Sequence, residues 1–125
     1  MPNTIHFLFC LHNHQPEGNF EHVFEEAYQK AYRPMLETIE RQGGRGILCP
    51  GDLTDPEAAR QIVQTVQESG GGLDILFNNA GSLVARSSIA DCPLELWKQA
   101  LDVNVTSAFL VTQAAIPALK ASGHG

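Results

Sequence analysis

The sequence predicts an α/β fold: a short parallel sheet with helices on its faces. Three observations carry this. Apolar runs of strand length occur at Thr4–Leu11, Gly46–Pro50 and Leu73–Asn78. Each is followed by a stretch in which apolar residues recur at helical spacing. Proline and glycine sit at the joints between them. The order β-α-β-α-β-α demands crossover connections, and therefore parallel strands in a layered arrangement.

The elements follow in order. TIHFLFCL (Thr4–Leu11) is β-branched and aromatic, as a buried strand is. HNHQPEGN is a loop punctuated by Pro16 and Gly18, and Asn19 can cap the helix that follows. Phe20, Val23, Phe24, Ala27, Tyr28 and Ala31 share a helical face, with Glu21, Glu25 and Glu26 in the early turns where acid suits the dipole. Pro34 either opens a second helical piece, about 34–42, or kinks the first. Gly43-Gly44 then ends it. GILCP (Gly46–Pro50) reads as the second strand. Asp52–Asp55 leaves it as a turn, with Thr54 or Asp55 as the cap of the next helix, Pro56 at its first position, and Ala58, Ile62, Val63, Val66 and Gln67 along it. Gly70-Gly71-Gly72 stops that helix, and LDILFN makes the third strand. A loop over 81–91 leads to Pro93, which opens a last helix running to Gly123.

Composition narrows the function classes. The 125 residues carry a net charge of −6, which argues against a nucleic-acid or anionic-membrane partner. No apolar run approaches membrane-spanning length and no signal-peptide pattern opens the chain. Cys10, Cys49 and Cys92 lack any framework spacing, which fits a reducing, cytoplasmic setting.

Two resemblances divide the chain. From about Arg41 onward it resembles the short-chain dehydrogenase/reductase family. This rests on D-x-T-D at Asp52–Asp55, N-N-A-G at Asn78–Gly81, and the helix around Trp97, Asp102, Asn104, Phe109 and Gln113. The resemblance implies a Rossmann-like fold. It also implies that Asp52 meets an adenine ring, that Asn78, Asn79, Ala80 and Gly81 support the sheet beside the cofactor, and that Asn104 holds a catalytic water. The family's glycine-rich pyrophosphate loop, which would follow the first strand, has no counterpart in HNHQPEGN. Its second strand, its serine and its Tyr-x-x-x-Lys helix are also absent. From Thr4 to about Glu37 the chain resembles the N-terminus of family-57 glycoside hydrolases, through HNHQPEGNF and HVFEEAYQKAYRPMLE. That resemblance implies a sugar-lining role for His12 and His14, but the paired carboxylates of glycoside hydrolysis are missing.

The join falls inside a helix near residues 37–43, where whole-domain fusions would place a linker. The expectation is therefore a single domain over 1–125, an artificial chimera of two enzyme families, with a truncated natural gene as the rival. Neither parent's catalytic residues are present, so the sequence reads as no enzyme, without catalytic residues or cofactor. A residual NAD(P)-type nucleotide-binding oxidoreductase, with vestigial contacts at Asp52, Asn78, Ala80, Gly81 and Asn104, is the alternative. A metal-binding module at His12 and His14 is the second. His6, Cys10, His12 and His14 share parity and could gather on one strand face. Pro16 and Asn13 break that strand early, so no metal is expected. Glu25 and Glu26 are adjacent on a helix and point about 100° apart, which excludes an acid/base dyad. In the dehydrogenase-like parent the last helix packs on its symmetry mate, and here Trp97, Leu101, Val105 and Phe109 keep it apolar. A homodimer through that helix, or through an open sheet edge, is the expected partnership.

Overall fold

The computed structural model describes residues 5–10, 25–26 and 28–123. The chain divides into two compact units. One comprises residues 14–48, and the other comprises residues 1–13 with 49–125.

In the 14–48 unit, a π turn over Tyr28–Tyr32 runs directly into helix α1, Arg33–Arg41. Pro34 lies in the first turn of α1 and has no N–H to give to the preceding turn. The wider π turn ahead of it accommodates that gap without ending the helix. Gly43, at φ 83°, takes the left-handed conformation that closes the helix, as the sequence predicts. No residue of α1 is buried. Side-chain pairs one turn apart run along this stretch: Gln29 with Glu25, Lys30 with Glu26, and Arg33 with both Glu37 and Gln29. Glu25 and Glu26 are thus a solvated helix face.

The other unit holds the sheet and core. Strand β1 (Phe7–Cys10) pairs in parallel with β2 (Ile75–Asn78), in the register Phe7↔Ile75 to Cys10↔Asn78. The expected strand over 46–50 is a correction, because residues 44–50 form no regular element. Gly46 has no side chain to pack, and Pro50 has no N–H for a ladder. Cys49 still packs against the core as irregular chain, and burial raises its thiol pKa.

Helix α2 (Pro56–Gly70) begins as predicted: Asp55 is the cap, its carboxylate accepting the Glu57 N–H at 3.0 Å, with Pro56 at the first position. It ends at Gly71, φ 86°. Its buried face (Ala59, Ile62, Val63 and Val66) meets Leu73 and Val111, Ala115 and Ala118 of the last helix. That last helix is continuous but not uniform. It comprises α3 (Leu94–Leu101), a π turn over Asp102–Thr106, and α4 (Ser107–Ser122), closed by Gly123 at φ 74°. Leu76 of β2 turns toward this core, while Ile75 and Phe77 lie exposed on the opposite face.

Candidate functional site

Both strands of a parallel pair end on the same side, and Cys10 and Asn78 end level. The loop leaving β2 there is Asn79 onward, so the carboxyl edge of the sheet is where a ligand of an open α/β fold would sit. Asn78 anchors that edge to α4, its amide donating to Thr112 Oγ1 at 2.9 Å.

Asn104 holds the next turn. It lies in the π turn of the last helix, whose extra residue swings one side chain off the regular helical path. Its Oδ1 accepts the Ser82 N–H at 2.9 Å. Its Nδ2 donates to the Ser82 carbonyl and to the Ala100 carbonyl, each at 2.8 Å. One amide thus takes both backbone groups of a residue 22 positions away, fixing the loop on the helix. Gly81 makes the approach possible: a Cβ there would stand 2.7 Å from Asn104 Oδ1. Beyond it Val84 is held at φ 59°, a left-handed conformation that a β-branched residue resists, with its N–H on Ser82 Oγ at 3.2 Å. Leu83, Ala85, Arg86, Ser87 and Ser88 line a shallow depression on this loop.

Asp52 opens the connection into α2. Its Oδ1 accepts from both the N–H (2.8 Å) and the hydroxyl (2.7 Å) of Thr54, and these bonds hold its carboxyl below the usual range. Asp52 is therefore a turn-former whose carboxylate remains exposed and ionised.

The structure ties Asn78 to Thr112 and, beside Gly81, Asn104 to Ser82, and gives Asp52 a separate turn. His12 and His14 lie outside the described residues. Among the described residues no cluster of three metal-ligating side chains occurs. Sequence reasoning missed Ser82, Val84 and Thr112, whose roles are backbone or tertiary. The only available signal was the small residue at 81 ahead of a polar one.

Comparison with known proteins bears on these residues. Residues 17–125 match the short chain dehydrogenase family. An uncharacterized oxidoreductase of Escherichia coli, YghA, is 42% identical over 81 residues, covering 65% of this chain and 28% of that protein. An alpha-amylase of Pyrococcus furiosus is 62% identical over 40 residues, covering 32% of this chain and 6% of the amylase. Among solved structures, the NADH-dependent reductase A1-R′ complexed with NAD superimposes with a TM-score of 0.67 at 31% identity, over 73% of this chain and 38% of that one. A short chain dehydrogenase from Burkholderia cenocepacia in complex with NADP gives 0.65 at 37% identity, over 75% and 38%. The chain spans less than two-fifths of the length of each of these proteins.

The two-family reading holds, with the amylase matches confined to a separate short stretch. The expectation of no enzyme does not. The family match and the oxidoreductase relatives point to an oxidoreductase, although the chain spans only part of one. That expectation rested on missing family residues, and a chain this much shorter than its relatives cannot be read by what it lacks.

Proposed function

Because the chain belongs to the short-chain dehydrogenase family, we propose that it supplies the adenine-side part of a nicotinamide-dinucleotide site in an oxidoreductase. The observation that carries this is the Asn104 clamp on Ser82 at the carboxyl edge of the sheet, which presets the loop after Asn78–Gly81. The described residues fit the adenine end of such a ligand: Asp52 keeps an exposed carboxylate, and Gly81 lets Asn104 close on the loop beside the sheet edge. They do not fit the pyrophosphate end. Among the described residues the glycines of left-handed conformation, Gly43, Gly71 and Gly123, each close a helix and none follows a strand. Hydride transfer between a dinucleotide and a small substrate is accordingly proposed for the whole protein, and no step of it is assigned to residues here.

Thermal shift with NADH and ADP-ribose tests the reading. Saturable stabilisation is expected from both, reaching about 2.7 kcal/mol at a hundredfold excess over Kd. Asp52→Ala should weaken both. No stabilisation by either ligand would overturn the proposal.

The proposed assembly is a homodimer through the last helix. Leu94, Trp97, Leu101, Val105 and Phe109 are exposed along it, with Trp97 at 52% and Phe109 at 58%, a contiguous apolar stripe. Light scattering after size exclusion should give twice the monomer mass, and Phe109→Glu should halve it. No helix among the described residues is long and apolar enough to cross a membrane.

A further inference from the structure

We infer that His6 and Asp74 form a register lock, which selects how the glycoside-hydrolase-like strand pairs with the dehydrogenase-like strand. The need for one is legible in the strands. FLFC and ILFN are almost wholly apolar, so a slip of two residues would keep every side chain on its face at little cost in burial. It would also displace the two strand ends by about 6.6 Å, and Cys10 and Asn78 would no longer end level.

Four bonds tie the residues that precede the two strands. Asp74 Oδ2 accepts the His6 backbone N–H at 2.7 Å and stands 3.0 Å from His6 Nδ1. The His6 carbonyl accepts the Asp74 N–H at 2.9 Å and the Ile75 N–H at 3.1 Å. Both side chains are mostly shielded, His6 at 24% and Asp74 at 17% exposure, so the carboxylate bonds are not diluted by water. The imidazole rests on the glycine turn that ends α2: a Cβ at Gly70 would stand 3.1 Å from His6 Cδ2, and one at Gly72 3.5 Å from Nδ1.

Only the observed register offers the two carboxylate bonds. One- or two-residue slips would set His6 opposite Gly72, Leu73, Ile75 or Leu76, none of which carries a side-chain acceptor. The lock joins residues from the two differently descended stretches, and it does not depend on any ligand.

Cross-strand proton NOEs in solution test it. The native chain and Asp74→Asn, which keeps an acceptor oxygen, should show Phe7–Ile75 contacts alone. Asp74→Ala should add a second set of β1 resonances with Phe7–Phe77 contacts, at least tenfold more populated than in the native chain. A folded Asp74→Ala with only native contacts would overturn the lock. If that variant does not fold, Asp74→Leu, close in volume but without an acceptor, decides: a slipped population supports the lock, and an unchanged single register overturns it.

Discussion

Helices α1 and α2 are both amphipathic, both carry proline in the first turn, and both end in a left-handed glycine. They differ in what holds them. Four residues of α2 are buried, against Leu73 and the apolar face of α4. None of α1 is buried, and its fixed side chains pair with residues one turn away on the same helix. Regular geometry therefore says little about the source of stability. In α2 it is tertiary burial, and in α1 it is local pairing, which is worth only tenths of a kcal/mol per pair.

The largest effect should come from the core. Leu73 is fully buried, and Leu73→Ala should cost about 2–5 kcal/mol in urea unfolding. Met35→Ala in α1 should change stability by about 0.5 kcal/mol or less, because Met35 is already exposed. Equal costs would break the contrast between the two regions.

Next comes the clamp. Asn104→Ala removes three hydrogen bonds to the Ser82 N–H and two carbonyls, all open to water, a loss of about 0.5–1.5 kcal/mol. Asn104→Asp should be no milder, since a carboxylate cannot donate to the Ser82 and Ala100 carbonyls. Proton exchange at Ser82 should accelerate in both. A fully tolerated Asp would show that the amide is not the element holding the loop.

These sites differ in how far the sequence exposes them. The capped helix at Asp55-Pro56, the glycine stops at 43, 71 and 123, and the β2 strand follow from local chemistry, and local chemistry is legible in one chain. The strand expected over 46–50 failed because a ladder needs a neighbour, which composition does not record. The Asn104–Ser82 and His6–Asp74 contacts span 22 and 68 positions, and no periodicity encodes them. Asn104 was named only through a family resemblance. Its backbone partner, and the π turn that aims it, became visible only in three dimensions.

Smaller effects sharpen the contrast at the helix starts. Asp55→Ala removes the α2 cap and should cost about 1 kcal/mol. Arg33→Ala removes two pairs from the 28–41 helix and should cost about 0.3–0.5 kcal/mol per pair, diminishing with added salt. The Asp55 loss should be nearly salt-independent, since its partner is a backbone N–H within the turn.

The smallest expected effect concerns acid. Thr54 donates two bonds to Asp52, so the folded carboxyl titrates below its unfolded value, which is near 3.8. The unfolded chain therefore binds the proton first as pH falls. Asp52 contributes stability that is complete above about pH 5 and disappears as pH drops through the folded pKa. The group is largely exposed, so solvent keeps the contribution modest. Asp52→Asn should lower stability at neutral pH by that modest amount and flatten the acid limb below pH 4, so that the difference from the native chain disappears at the lowest pH, as measured by urea midpoints between pH 3 and 7. Arg33→Ala, in the pair-stabilised helix, should leave the Asp52 part of that acid limb intact. If Asp52→Asn instead lowers stability equally at every pH, the residue acts through turn geometry and not through its charge.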